Sequence, residues 1–387
     1  MANESSEPSL SSEPAPDPSR QDKAREYASI SRRLMLAGLA LDILVFVVLL
    51  FGGVSTALRD LLAMAQPARV ALYVLVLVTG ITLVSLPLSV YGGFILPHRY
   101  GLSTQSLRGW LWDKMKGLFI GLVLGVAAIS VLYWLMAVSP GAWWLWAAAL
   151  SIVFTVLLTN LAPVLLVPMF FKQKPLEDED LKQRVLTLSE RAGVRVKGVF
   201  VLNMSSKGTT ANAALMGLGN TRRIVLGDTL LGVYPPEEIE SVVAHELGHH
   251  AHRDIPWAIV AQSVASLVSF YLAALVMDWA AVRFGFNGLT DVAALPVLAA
   301  VIAGFNLIAG PLLSAYSRWR ESAADRYSLR LTGNPSAFVS AMTRLTDQNL
   351  SEAHPNRWVE FMFYDHPPYH RRVAMARQHA AAGAMSA

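Results

Sequence analysis

The residues best suited to chemistry lie at positions 242–250, which read Val-Val-Ala-His-Glu-Leu-Gly-His-His. The segment contains His-Glu-x-x-His. On a helix, positions i and i+4 share a face, so His245 and His249 can hold one metal ion between them. Glu246 follows His245 directly, so it can lie beside an open metal position without being a ligand, as a general base for an activated water must. The flanks specify a helix. Pro235 and Pro236 precede it, Glu237, Glu238 and Glu240 fill its first turns, and Val242, Val243, Ala244 and Leu247 give it a buried side.

Two histidines need a further protein ligand. A His at position 255 would complete the metzincin pattern, but that residue is Ile255. Residues 318–325 (Arg-Trp-Arg-Glu-Ser-Ala-Ala-Asp) instead offer two acids at i and i+4. Glu321 is read as the third ligand. Asp325 is read as the acceptor of a ligand histidine's free ring N–H, which fixes its tautomer. The expected cofactor is one zinc ion per chain. A structural zinc is normally closed by four protein ligands, whereas three leave a position for water or substrate. The ligand count therefore favours hydrolysis over a non-catalytic zinc-binding membrane protein.

The elements that must position these groups sit in a very apolar chain. Of 387 residues, 54% are hydrophobic and 16% charged, which excludes an ordinary soluble protein and points to a membrane class. There is no cysteine, so disulfides and thiolate metal sites are excluded. The net charge of +4 is modest. Neither a nucleotide-binding glycine motif nor a basic-aromatic array is present, and no nucleic-acid partner is expected.

Residues 1–27 are rich in Ser, Glu and Pro and read as a disordered tail. Six apolar spans follow, at about 34–54, 70–96, 117–138, 143–170, 256–282 and 292–316. Asp42 is the one charge in the first, a hint of a polar interior matched by the alternative of a locally hydrated acid. Residues 98–116 form a basic, Trp-containing stretch read as an interfacial helix. The predicted organisation is thus the tail, four membrane helices over 28–170, a metallopeptidase segment over 171–255, two membrane helices over 256–316, and the remainder of the metallopeptidase domain over 317–387. The fold class is mainly α: a polytopic helix bundle with an α+β zinc metallopeptidase domain.

Within the polar segment, residues 177–192 read as a helix and residues 199–203 and 223–226 as short strands. The stretch 210–220, punctuated by Gly and Asn, suits an exposed strand that pairs with an extended peptide, and equally an ordinary hairpin. With the N-terminus inside, the basic residues Lys23, Arg25, Arg32, Arg33, Arg99, Arg108, Lys114 and Lys116 all fall on the inner side. This obeys the positive-inside rule and puts the catalytic segment on the cytoplasmic face.

Taken together, HELGHH at 245–250, SRWRESAAD at 317–325, ANAALMGLGNTRRIVLGDTLL at 211–231 and HPPYHRR at 366–372 resemble the type I CAAX prenyl endopeptidases. These are integral-membrane zinc metallopeptidases related to the bacterial heat-shock membrane proteases. The resemblance runs over about residues 24–380. It implies that His245, His249 and Glu321 bind zinc and that Glu246 is the general base. It implies that Asn212 and Ala213 mark an edge strand holding the substrate backbone, and that His366 and Arg372 stabilise the oxyanion or bind substrate. The implied substrates are prenylated CAAX-type or other membrane-associated proteins, with membrane-protein quality control as the alternative role. Eukaryotic members carry an additional N-terminal span. Its absence here, together with the lack of Cys and the Ala-, Leu- and Arg-rich composition, suggests a bacterial inner-membrane protein. The sequence sets no oligomeric state.

Overall fold

The computed structural model describes residues 14–217 and 222–384, and its chain divides into two compact units. One holds residues up to 28 together with 171–254 and 314–384 and is here called the polar unit. The other, the apolar unit, holds 29–170 and 255–313.

In chain order, helix α1 (Pro18–Phe51) is followed by the short α2 (Val54–Leu61) and by α3 (Gln66–Val90). A π-helical turn, Tyr91–Ile95, joins α3 to α4 (Leu96–Arg99). Then come α5 (Leu107–Val138), α6 (Trp143–Leu161), a second π-helical turn at Ala162–Leu166, and α7 (Val167–Phe170). Each π turn lies near a proline, Pro87 or Pro163, whose missing N–H disturbs the regular ladder. Two further long helices are α10 (Asp254–Arg283) and α11 (Leu295–Thr332). Among the described residues, six helical stretches are long and apolar enough to cross a membrane: Pro18–Phe51, Gln66–Arg99, Leu107–Val138, Trp143–Phe170, Asp254–Arg283 and Val292–Thr332. The six expected spans fall one within each, the first running on slightly past the helix end. In the apolar unit Tyr73, Met136, Trp143 and Met277 are buried, whereas Leu83, Phe119, Val153 and Ile308 stay exposed. Helices that pack along one stripe and expose large apolar side chains elsewhere suit a lipid solvent. Asp42 is exposed on α1.

The polar unit contains β1 (Gln173–Pro175), α8 (Glu179–Arg191), β2 (Val199–Leu202), β3 (Ala213–Met216), β4 (Arg223–Gly227), α9 (Pro236–Ala251), α12 (Pro335–Gln348), α13 (Arg357–Phe363) and α14 (Tyr369–Ala384). The sheet order is β1-β2-β4-β3. β2 runs parallel to β4, with Val199 opposite Ile224, and β3 runs antiparallel to β4, with Ala213 opposite Leu226. The anticipated helix and two strands form where expected; β1, three residues long, is too short to read from pattern. Val185, Ile224, Leu226, Val243, Leu247 and Phe338 form the core, drawn from α8, the sheet, α9 and α12.

Two expectations need correction. Residues 18–27, assigned to a disordered tail, are the first turns of α1, while residues 1–13 lie outside the described residues. Composition misleads here because the segment finds its partners far along the chain. Asp17 caps the helix by accepting from the Ser19 N–H at 2.7 Å, and its own N–H donates to Asp347 at 3.0 Å. The stretch 98–116 is not a separate interfacial helix either. Ser106 accepts from the Gly109 N–H at 3.2 Å and caps α5, and residues 107–116 simply continue into the span because nothing breaks the helix between them.

Candidate metal centre

Helix α9 begins at paired prolines and carries Glu237 and Glu238 in its first turn, where acids favour the helix dipole. Its Ile239, Val243 and Leu247 are at most 2% exposed, which fixes its rotation and turns His245 and His249 the opposite way. Helix α11 packs against it at Gly248. A Cβ there would lie 3.0 Å from the Ala324 Cα and 3.2 Å from the Ala324 carbonyl oxygen, so any larger residue would crowd this approach. Ala324 stands between Glu321 and Asp325, so the contact brings both acids to the histidines.

His245 Nε2 and His249 Nε2 lie 3.1 Å apart. His245 Nε2 is 3.2 Å from Glu321 Oε2, and His249 Nε2 is 3.3 Å from Glu321 Oε1. Ligand atoms 2.0–2.1 Å from a tetrahedral ion stand about 3.3 Å from one another, so the three groups are spaced as such an ion requires. The proton inventory agrees. His245 Nδ1 donates to Asp325 at 2.8 Å and His249 Nδ1 to Asp254 at 2.7 Å. In neutral rings both Nε2 atoms then face each other as lone pairs, an arrangement that a proton or a metal cation relieves. Glu321 Oε2 is buried and has no hydrogen-bond partner. Burial opposes charge on His245, yet Asp325 and Glu321 outweigh it and raise its pKa to about 9, a measure of how strongly the site attracts positive charge.

The other expected residues gather here too. Glu246 is half-buried beside the ligands. Burial raises its carboxyl above the usual carboxylate range, opposed by His245 and His249, which makes it a better proton acceptor near neutral pH. His366 Nε2 lies 3.4 Å from Glu321 Oε2, and its Nδ1 is 2.8 Å from Asp365. That hydrogen bond, against a smaller effect of burial, raises the His366 pKa. Arg372 packs against the ligand support. Its guanidinium grips both oxygens of Asp325, with Nε at 2.9 Å, and so supports His245 from behind. Ala213 is buried in β3 and Asn212, exposed, precedes it; β3 is the last strand in the sheet order.

Asp254 was missed by sequence reasoning. It is the first residue of α10, orients His249, and is itself held by Arg320, which also donates to the His252 carbonyl at 2.6 Å. The two histidines thus have matching arms: Arg372–Asp325–His245 and Arg320–Asp254–His249. The available signal was an acid five residues beyond the second histidine, at the end of the metal helix.

Comparison with known proteins agrees with this geometry. Residues 175–380 match the model of peptidase family M48, and residues 3–172 match that of the CAAX prenyl protease N-terminal region, described as five membrane helices. Four of the six span-length helices lie within that second match. The chain is 30% identical to the uncharacterized metalloprotease YhfN of Bacillus subtilis, over 93% of this chain and 86% of that protein. It is 29% identical to CAAX prenyl protease 1 of Saccharomyces cerevisiae, over 76% of this chain and 68% of that protein. The crystal structure of S. mikatae Ste24p shares the fold, with a TM-score of 0.83 at 23% identity, covering 93% of this chain and 89% of that one. A matched family model over more than half the chain, a metal-spaced His-His-Glu group and six span-length helices lead to one assignment: the chain belongs to peptidase family M48, as a multi-pass membrane metalloendopeptidase of the CAAX prenyl protease type.

Proposed function

We propose that this protein is a zinc endopeptidase that cleaves membrane-associated proteins, CAAX-type prenylated chains among them, at the cytoplasmic face of a bacterial inner membrane. The observation that carries the reading is the convergence of His245, His249 and Glu321 at 3.1–3.3 Å with Glu246 alongside. Zinc suits two imidazoles and a carboxylate, and three protein ligands leave a position open for catalysis. When bound, the ion supplies Lewis acidity, acidifying water and polarising a carbonyl.

The chain's own residues do the rest. His245, His249 and Glu321 hold the ion. Asp325 and Asp254 keep each imidazole in the tautomer that presents Nε2. Glu246 takes the proton from the attacking water and delivers it to the leaving amine. His366, whose protonated form Asp365 favours, stabilises the developing oxyanion. The open edge of β3 at Ala213, with the Asn212 side chain beside it, pairs with the extended substrate backbone. The inner-side distribution of Lys and Arg supports the cytoplasmic placement.

The test is hydrolysis of a farnesylated CAAX peptide by the purified, zinc-loaded protein, beside the same peptide without lipid. Glu246→Gln should keep one zinc per chain and lose turnover. Cleavage retained in that variant would overturn the assignment of the base. Equal cleavage of both peptides would remove the lipid from the specificity.

A further inference from the structure

The register of β3 shows which of its backbone groups face outward. The Gly227 N–H donates to the Asn212 carbonyl at 2.9 Å, and Ala213 stands opposite Leu226. In an antiparallel ladder, inward- and outward-facing residues alternate. Asn212, Ala214 and Met216 therefore spend their backbone groups on β4, whereas Ala211, Ala213 and Leu215 point theirs off the free edge. The outward groups are not equally open. The Leu215 backbone lies near the Glu246 carboxylate and favours its charged form. At the other end, Asn349 takes both groups of Ala211: its Oδ1 accepts from the Ala211 N–H at 2.8 Å, and its Nδ2 donates to the Ala211 carbonyl at 3.1 Å. The Asn349 amide occupies the place of a paired strand residue. It leaves Ala213 as the open position between itself and the general base.

Asn349 is itself held from two directions. Next to it, Gln348 donates to the carbonyls of Thr209 at 2.7 Å and Thr229 at 3.2 Å, and accepts from the Tyr234 hydroxyl at 2.8 Å. From the N-terminal side, Arg20 Nε donates to the Asp347 carbonyl at 2.7 Å, and Gln21 accepts from the Ala353 N–H at 2.9 Å. Within the turn so gripped, buried Leu350 adopts φ 49°, a left-handed conformation that non-glycine residues keep only when their surroundings enforce it.

We propose that Asn349 is a specificity-determining positioning residue: it closes the substrate-pairing edge of β3 at Ala211, so a bound peptide is held in one register against Glu246, and the N-terminal segment around Arg20 and Gln21 keeps it in place. This rests on the reading of β3 as the substrate strand. Removing the amide frees the Ala211 backbone groups to pair with the peptide, which lengthens the usable edge and lets the peptide slip. A slip moves by two residues, because a one-residue slip would exchange the faces of every side chain.

The experiment uses full-length, zinc-loaded protein and a nested set of substrate peptides extended stepwise at each end, with products identified by mass spectrometry. Wild type should cut at one bond. Asn349→Ala should retain its zinc, lower KM by up to roughly tenfold because the freed Ala211 N–H and carbonyl can pair with the peptide, and give a second product displaced by two residues. Asn349→Asp, which keeps the acceptor for the Ala211 N–H, should restore part of the single-site cleavage. Gln21→Ala should reproduce the second product more weakly. An Asn349→Ala protein with wild-type KM and a single product would overturn the proposal. Ala213→Pro separates the two claims. It removes an outward-facing N–H without touching the β4 ladder, so it should abolish cleavage at full zinc content if β3 holds the substrate. Wild-type cleavage by Ala213→Pro would instead overturn the substrate-strand reading itself.

Discussion

Gly248 of α9 and Ala324 of α11 pack directly against each other, one residue before His249 and three after Glu321. Two effects compete in Gly248→Ala. Helix propensity alone favours alanine by about 1 kcal/mol. The added methyl, however, would stand 3.0 Å from the Ala324 Cα, 3.1 Å from the Tyr327 Cβ and 3.2 Å from a carbonyl oxygen. These atoms belong to or adjoin the backbone of a packed helix and cannot swing away, and overpacking of this kind costs about 1–3 kcal/mol. Crowding should win. The variant is expected to unfold at lower temperature and to bind zinc more weakly, as read by chelator competition; unchanged zinc affinity would show that the helices can separate without disturbing the ligands.

Asp254 should matter to the metal as much as Asp325 does. Asp254→Ala removes the acceptor of the His249 Nδ1 proton and frees the ring to rotate or change tautomer. The loss of one such outer carboxylate costs roughly tenfold to a hundredfold in metal affinity. Asp254→Asn retains an acceptor oxygen and should fall between wild type and the alanine variant. Dissociation constants from competition with a zinc-binding dye provide the measurement, and equal values for all three proteins would remove Asp254 from the site.

Arg372 gives a sharper contrast. A bidentate grip on buried Asp325 needs the planar guanidinium fork. Arg372→Met would leave an uncompensated buried carboxylate, so the expected loss is in stability and zinc retention, of about 3–5 kcal/mol. If Arg372 instead acted on the oxyanion, the variant would fold and bind zinc normally and lose only kcat. Thermal melts and metal content, measured beside turnover, decide between these outcomes.

The metal site was legible to the extent that it is helical. His245 and His249, like Glu321 and Asp325, are pairs at i and i+4, and a fixed helical period places each pair on one face whatever the rest of the fold does. The apolar spans were legible for a similar reason, since their length and composition answer to the bilayer rather than to a partner. What escaped notice depends on contacts between residues distant in sequence. Asp254 gains its role from the turn at Arg253, which adopts a left-handed φ of 54°. Asn349 meets Ala211 across 138 positions, and Asp17 meets Asp347 across 330. A Pro- and Ser-rich segment carries no internal sign that such partners exist, which is why residues 18–27 read as disordered and fold as helix. Arg372 was recognised as part of a motif, but its partner could be found only once α14 and α11 were placed.

The pH profile should report the Asp365–His366 pair. Asp365 favours the protonated form of His366 and raises its pKa above that of an ordinary histidine. If the cationic imidazole stabilises the oxyanion, the active form is the protonated one. Activity is then present below the His366 pKa and falls as pH rises through it, which gives the basic limb of kcat/KM. Asp365→Asn removes the carboxylate that raises this pKa, so the basic limb should move to lower pH while the acidic limb, set by deprotonation of Glu246, stays in place. His366→Gln should lower kcat by roughly a hundredfold, the usual scale for one oxyanion donor, and should remove the basic limb. An unmoved basic limb in Asp365→Asn would assign that ionisation to another group and leave His366 as a neutral contact to Glu321.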